Sequence, residues 1–142
     1  MALVHKAFGI LACAAIMAGG PGVGVVAAGP SSDGRYYGSL AVEDLGDQFQ
    51  VMWAVNYPSW ADADGAALGH CQTANCSVLA RFVDGCGSIA QRDHRLLGGV
   101  GNTRADAERA AIDAFGPPDL VSMSAGNPPA SVAHTECTVN VG

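Results

Sequence analysis

The sequence predicts an α+β domain of two tandem strand-strand-helix-strand repeats, which form an antiparallel sheet with two helices packed on it. Two segments occur twice in the same order, as expected for an internal repeat. Gly-Ser-Leu-Ala at 38–41 returns as Gly-Ser-Ile-Ala at 87–90, and the alanine-rich segment 59–68 returns as 103–112. The matched residues are mostly small or apolar, so the duplication predicts a scaffold rather than a duplicated catalytic site.

The first repeat is predicted to carry one helix between its second and third strands. Ser59 is a good N-cap, and the helix is predicted from Trp60 to about Cys71. The flanking segments are rich in β-branched and aromatic residues, which favour strands. These strands are predicted at 37–42, 50–55 and 76–83.

The second repeat is predicted to follow the same order. Thr103 caps a helix that runs to Phe115, where Gly116 and two prolines end it. The strands of this repeat are predicted at 87–91, 96–100 and 119–124.

The dipeptide Asp84-Gly85 joins the two repeats. Asp-Gly between apolar runs is a strong signal for a two-residue hairpin, because both turn positions need a positive φ. We therefore predict that the third strand of the first repeat pairs directly with the first strand of the second, with Cys86 opposite Val83.

The first 28 residues have the pattern of an export signal. Lys6 precedes an apolar run, and residues 26–28 place small side chains at the positions recognised by signal peptidase. Glycine and proline at 19–22 interrupt the apolar stretch, so it is too short for a membrane span. We predict cleavage after Ala28, a secreted chain located outside the cell or in the envelope, and no stable membrane insertion after the signal is removed.

The predicted mature chain is acidic. Without residues 1–28 it has six arginines and thirteen carboxylates, which give a formal charge of −7. No cluster of cations accompanies this charge, which argues against nucleic acid and anionic membranes as partners. We predict that residues 29–125 form the duplicated domain and that residues 126–142 form a tail tied down by Cys137.

Four cysteines remain in the predicted mature chain. An even number in a small exported domain indicates two disulfides. His70 beside Cys71, with four residues between Cys71 and Cys76, also fits the spacing of a zinc site. Disulfides are favoured because the other two cysteines stand alone and the predicted compartment is oxidising. The four residues are Cys71, Cys76, Cys86 and Cys137.

The pairing of these cysteines follows from the predicted hairpin. Cys86 would lie opposite Val83 and about 23 Å along the strand from Cys76, at roughly 3.3 Å per residue. A disulfide requires Cα atoms within about 7 Å. We therefore predict the pairs Cys71–Cys76 and Cys86–Cys137.

No motif in the sequence points to catalysis, a cofactor or a metal. Ser124 lacks the first glycine of a nucleophile elbow. The segment 99–104 lies between a predicted strand and helix but lacks the third glycine of a dinucleotide loop and the lysine of a phosphate loop. His94 follows Asp93 in a predicted turn, where such residues are usually solvated. We expect a protein that is not an enzyme and needs no cofactor.

Two aromatic residues are candidates for a contact surface. Trp60 occupies the first position of the predicted helix and Tyr57 precedes it. A side chain at the start of a helix is less enclosed than one on a central strand. Aromatic side chains in such places often anchor protein partners.

An ordered set of motifs resembles a known family. The set comprises Tyr37-Gly-Ser-Leu-Ala, Tyr57-Pro-Ser before the first helix, Cys71 with Cys76, Cys86-Gly-Ser-Ile-Ala, and residues 98–104 before the second helix. Over about residues 36–125 it is similar to domain-of-unknown-function family 4189, small exported proteins of mycobacteria and other actinobacteria. The resemblance implies a secreted actinobacterial protein of a family with no established biochemical activity.

One feature departs from that family pattern. In the family a cysteine closes the domain soon after the last strand. Residues 124–126 carry no cysteine, and the next one is Cys137. The resemblance therefore supports the 71–76 pair more strongly than the 86–137 pair.

These observations favour a secreted, non-enzymatic protein that binds an envelope or host protein. One alternative is a small extracellular hydrolase or a metal-dependent enzyme. The other is a protein inhibitor that presents a rigid, disulfide-held loop.

Overall fold

A computed structural model describes residues 22–26 and 29–141 of the 142-residue chain. Most of the predicted export signal, 1–28, lies outside the described residues. The elements in chain order are β1 (Gly22–Val26), β2 (Tyr37–Asp44), β3 (Phe49–Tyr57), α1 (Trp60–Leu68), β4 (Cys76–Val83), β5 (Cys86–Arg92), β6 (Arg95–Gly101), α2 (Arg104–Asp113), α3 (Leu120–Ser124) and β7 (Ser131–Cys137).

The strands form two sheets, and the predicted α+β class is confirmed. One sheet has the order β1-β3-β2-β4 and the other has the order β6-β5-β7. All pairs among β2 to β7 are antiparallel, whereas β1 runs parallel to β3. The sequence predicted one sheet, so the division into two is a finding of the structure.

The two repeats occupy equivalent places in the two sheets. Each repeated Gly-Ser-(Leu/Ile)-Ala motif lies on a central strand, β2 in one sheet and β5 in the other. The register shifts at the same point in each motif, between Leu40 and Ala41 against β4 and between Ile89 and Ala90 against β7. β7 is therefore the counterpart of β4.

The predicted hairpin at Asp84-Gly85 is wrong. β4 pairs with β2, while β5 pairs with β6 and β7. Asp84 has a φ of 46°, but Gly85 does not adopt a positive φ, so the dipeptide lacks the geometry of a two-residue hairpin. The N–H of Asp84 donates to the Tyr36 carbonyl, and the Gly85 carbonyl accepts from the Thr138 N–H. These hydrogen bonds fix the backbone where the chain passes from the first sheet to the second.

The predicted strand at 119–124 is also wrong, because Leu120–Ser124 forms the short helix α3. The Asp119 carboxylate accepts hydrogen bonds from the N–H groups of Val121 and Ser122 and so caps this helix. Local side-chain capping of this kind competes with strand pairing. The third strand of the second half is β7, inside the segment predicted as a tail.

The main core lies between the two sheets. It includes Leu40 and Val42 of β2, Phe82 of β4 and Ile89 of β5. The Phe82 ring lies between the two repeated glycines: a Cβ at Gly87 would come within 2.5 Å of it, and one at Gly38 would overlap it as well. Each repeat thus supplies a glycine at the place where the Phe82 ring of β4 must fit.

The helices cover the outer faces of the two sheets. On one side, Ala63 and Ala67 of α1 pack against Ala41, Met52 and Ala54. On the other, Ala107 and Ala111 of α2 are fully buried beside the glycines of β6. The order of layers is α1, sheet, sheet, α2. No helix among the described residues is long and apolar enough to cross a membrane.

Candidate functional site

Both disulfides have the predicted partners. Cys71 is bonded to Cys76 and Cys86 to Cys137. The reason for the second pair differs from the predicted one, because Cys86 lies directly opposite Cys137 on paired strands β5 and β7. The zinc alternative does not apply to these bonded cysteines. Among residues 22–26 and 29–141, no group of three or more His, Cys, Asp or Glu could hold a metal ion.

The two predicted contact residues lie at one end of the molecule together with Tyr37. Tyr37 is opposite Tyr57 in the β2–β3 pair, and its ring packs edge-on against Trp60 with centroids 5.2 Å apart. The Trp60 Nε1–H donates to the Phe82 carbonyl oxygen over 3.3 Å. We call Tyr37, Tyr57 and Trp60 the Trp60 surface.

Exposure differs within the Trp60 surface. Trp60 is 45% exposed, although its indole N–H and one ring edge are held in place. Tyr57 is partly buried; burial raises the pKa of its hydroxyl, and the negative charge of Asp62 raises it further. Trp60 therefore presents a rigid, exposed apolar surface, and the partly buried Tyr57 lies opposite Tyr37 on the neighbouring strand.

A polar cluster around Asp84 borders this surface. The Asp84 carboxylate accepts hydrogen bonds from the Tyr36 N–H at 2.9 Å and from the Asn140 amide at 2.9 Å. It also pairs with Arg35 at 3.4 Å. These donors, with the Tyr36 N–H as the largest cause, hold the pKa of Asp84 below its ordinary value. The cluster fastens residues from both ends of the domain to one carboxylate.

The second feature is the loop closed by Cys71 and Cys76. Its four central residues, 72–75, are exposed. Glu43 of β2 is fully buried beneath them, and its Oε1 accepts from the Gln72 N–H at 2.7 Å and from the Thr73 N–H. A disulfide and a buried carboxylate thus hold an exposed loop in one conformation.

A third feature, missed by the sequence analysis, is a cavity of about 190 Å³ in the second half. It lies among the β5–β6 turn, the end of α2, helix α3 and the proline-rich segment before β7. The only signal in the sequence was the group of prolines at 117–118 and 128–129, which the predicted strand at 119–124 obscured. Its lining residues include Arg92, Asp93, Ile112, Phe115, Met123 and Pro128.

Ser124, which the sequence analysis weighed as a nucleophile, and two other serines have structural partners. The Ser122 hydroxyl donates to the Asp119 carboxylate at 2.8 Å, and the Ser124 hydroxyl donates to the Val121 carbonyl. Ser88 is buried and shares a hydrogen bond with Thr135 at 2.9 Å. These hydroxyls therefore cap a helix or connect strands.

The histidines are spread over the molecule. His134 stacks on Trp53 with centroids 4.3 Å apart, and its Nε2 lies 3.1 Å from Glu136 Oε1. His70 follows α1 and His94 lies in the β5–β6 turn. Within the described part of the chain, no histidine imidazole is hydrogen-bonded to a serine hydroxyl; the Ser88 hydroxyl donates to the backbone carbonyl of His134 over 3.2 Å. The Trp53–His134 contact joins the two sheets and was not predicted.

The glycines at 98–101 pack against neighbouring elements. A Cβ at Gly99 would come within 2.6 Å of the Ala110 carbonyl carbon, and one at Gly101 within 2.6 Å of the Ala107 nitrogen. These glycines allow α2 to lie against β6. The segment therefore serves packing, as the missing phosphate-loop residues already suggested.

Comparison with known proteins identifies relatives in mycobacteria. The chain is 35% identical over 80 residues to Protein Rv1269c of Mycobacterium tuberculosis, covering 56% of this chain and 61% of the relative. Protein Mb1300c of Mycobacterium bovis matches to the same extent. This chain therefore spans about 61% of the length of these relatives. No solved structure matches it.

A family match covers the whole duplicated fold. The family described as "Domain of unknown function (DUF4189)" matches residues 37–137, from the first residue of β2 to the last residue of β7. Because the match ends at Cys137, this cysteine closes the last strand, and the departure noted in the sequence came from misplacing that strand. The chain belongs to the DUF4189 family.

Proposed function

We propose that this protein is exported and acts without catalysis, by binding a protein partner of the envelope or the host through the Trp60 surface. Two disulfides fit a compartment outside the reducing cytoplasm. The observation that carries the proposal is the exposed, fixed indole of Trp60. Tryptophan is enriched among residues that dominate binding energy at interfaces.

The rigidity of Trp60 supports this role. A side chain that is already ordered loses little conformational entropy on binding, about 0.5–1.5 kcal/mol less than a mobile one. Tyr37 and the Phe82 carbonyl hold the ring before any partner arrives. The acidic Asp62 beside Tyr57 favours a partner that presents basic groups around an apolar socket.

A matched pair of variants tests the proposal. Leu68 lies at the other end of α1 and is 38% exposed, so Leu68→Ala removes a comparable exposed apolar side chain. Trp60→Ala should reduce capture of the partner from envelope and host fractions at least tenfold, while Leu68→Ala retains it. Capture that is equal for the two variants would contradict the proposal.

The disulfide-held loop supports a second candidate function, inhibition of a protease. Residues 72–75 are exposed and rigidly held by the bond between Cys71 and Cys76 and by Glu43. Preorganised loops of this kind bind with a small entropic cost. The purified protein should inhibit at least one extracellular protease, and Thr73→Trp should abolish inhibition while Trp60→Ala leaves it intact. Failure to inhibit any member of a broad protease panel would exclude this function.

A further inference from the structure

The cavity of the second half has the size of a small-molecule site. Its volume is about 190 Å³, larger than the roughly 150 Å³ of an engineered apolar cavity that binds benzene. The cavity is open to solvent on one side, since most of its lining residues are exposed. Most of the lining belongs to the connection 114–130, which has no counterpart of similar length in the first half, and Arg92, Asp93 and Ile112 complete it.

The walls of this cavity are mainly apolar. One side is formed by the C-terminal end of α2, which contributes Ile112 and Phe115, and Met123 of α3 forms another. Pro128 and Pro129 complete it without adding backbone N–H donors. An apolar body of the size of a phenyl ring matches this lining.

Two arginines stand beside the cavity without a carboxylate partner. Residues 29–141 contain six arginines, and four of them lie within 4.0 Å of an acidic side chain. Arg92 and Arg95 are the two others in this described part. Their guanidinium carbons lie 4.9 and 5.7 Å from the centroid of the Phe115 ring. The Phe115 ring thus holds two cations at one place, and both lie beyond ion-pair distance of any carboxylate in the described part of the chain.

The nearby carboxylates determine the ligand charge that fits. Asp119 is committed to its own helix, because it accepts from the N–H groups of Val121 and Ser122 and from the Ser122 hydroxyl. These bonds, the Ser122 hydroxyl first, lower the pKa of Asp119. Asp119 stays ionised while it accepts these bonds, so Asp93 and Asp119, which both line the cavity, together balance the charges of Arg92 and Arg95. Neither carboxylate lies within 4.0 Å of these two arginines, so their guanidinium groups can still donate to a ligand, and one ligand carboxylate fits this balanced site better than two.

We propose that this cavity binds a small organic monocarboxylate with a flat apolar body, whose carboxylate pairs with Arg92 and Arg95. Guanidinium groups match carboxylate oxygens in a forked geometry, which gives both charge and direction to the contact. The site is distinct from the Trp60 surface, so it adds a ligand to the proposed partner binding and does not depend on it.

The test is a titration of the full-length chain with 3-phenylpropionate, followed by backbone amide NMR. Saturable shifts should centre on residues around Phe115 and Met123. 3-Phenylpropionamide, which has the same shape and no charge, should bind at least tenfold more weakly, and 3-phenylpropylamine should not bind. Equal affinity for the acid and the amide, or no saturable binding in the millimolar range, would overturn the proposal.

Variants locate the site. The double variant Arg92→Gln/Arg95→Gln should weaken 3-phenylpropionate binding at least tenfold while the NMR spectrum keeps its dispersion. Arg81→Gln/Arg109→Gln is the matched control, because it removes the same two charges from exposed arginines that pair with Asp64 at 2.7 Å and Asp106 at 3.6 Å. Trp60→Ala should bind the acid with unchanged affinity. Equal loss in the Arg81/Arg109 variant would show that binding follows net charge and not this cavity.

Discussion

The two halves of the molecule share their strands and helices but differ in the connection from the helix to the third strand. In the first half this connection is residues 69–75, and in the second it is residues 114–130. The shorter connection is closed by the Cys71–Cys76 disulfide, whereas the longer one forms α3 and a cavity. Duplication thus preserved the scaffold, and the distinctive surface features lie where the two copies differ, as is common for loops on rigid scaffolds.

The largest expected difference between the halves concerns their disulfides. Cys86 and Cys137 are 51 residues apart, and Cys71 and Cys76 are 5 apart. In the chain-entropy account, cross-linking the longer loop stabilises by about 4 kcal/mol and the shorter by about 2 kcal/mol. Urea unfolding of Cys86→Ala/Cys137→Ala and of Cys71→Ala/Cys76→Ala should reproduce this order. A reversed order would mean that the short loop contributes through native contacts.

The second comparison concerns the space available for a methyl group at Gly99 and at Ala54, which occupy equivalent positions in the two halves. Ser39 pairs with Ala54 and Ser88 with Gly99, so the first half accommodates a methyl group where the second does not. Gly99→Ala would overlap the backbone of α2 and should lower the free energy of unfolding by about 3 kcal/mol.

Gly65 of α1 provides the control for that substitution. A Cβ at Gly65 meets nothing within 4 Å. Gly65→Ala should therefore stabilise the protein by about 0.5–1 kcal/mol, because alanine is the better helix former. Thermal unfolding followed by circular dichroism measures both changes. Similar effects at Gly99 and Gly65 would mean that α2 lies further from β6 than described.

A third experiment asks whether the halves are equivalent at Phe82. Gly38→Ala and Gly87→Ala each place a methyl group against this ring and should each cost about 2 kcal/mol. Combining either with Phe82→Leu should cost less than the sum of the single changes, since the smaller side chain makes room. Double-mutant cycles from urea unfolding measure the coupling. Additive costs would show that the ring does not limit these positions.

The smallest expected effect concerns Asp84, where the two halves meet. Its folded pKa is lowered, chiefly by the Tyr36 N–H and then by Asn140 and Arg35, so the ionised form stabilises the fold. That stability is present above the unfolded pKa of about 3.9 and is lost as the pH falls through the lower folded value. Wild type should lose more unfolding free energy than Asp84→Asn between about pH 5 and pH 2. Parallel acid profiles would exclude this contribution.

The scaffold was largely predictable because its signals are local and repeated. N-caps at Ser59 and Thr103 set the starts of both helices, and both caps are present, each accepting from a backbone N–H three residues on. The sheet arrangement was not predictable in the same way. Whether Asp84-Gly85 forms a hairpin or a corner depends on bonds to Tyr36 and Thr138, which are distant in sequence.

The Trp60 surface and the cavity also differ in how far the sequence predicts them. The exposure of Trp60 was predictable because a side chain at the first helical position has few neighbours to enclose it, whereas the packing of Tyr37 against it came from the structure. The role of Trp60 as a contact residue stays a prediction. The cavity was missed because the valine and leucine of residues 119–124 favour a strand. The Asp119 carboxylate instead caps the N-terminus of α3, so this segment is helical. The positions of Arg92 and Arg95 around Phe115 required the β5–β6 turn and the end of α2 to meet in space.

The Asp84 cluster has a consequence for chain connectivity. Arg35 and Tyr36 near one end of the domain and Asn140 near the other are bonded to the same carboxylate, so a short linker would join them at a small loop-closure cost. A circular permutant opened between Asp84 and Cys86 would place the second half first. Because the halves are structural equivalents, we expect the permuted chain to reach the same fold, with the order of the halves along the polypeptide exchanged.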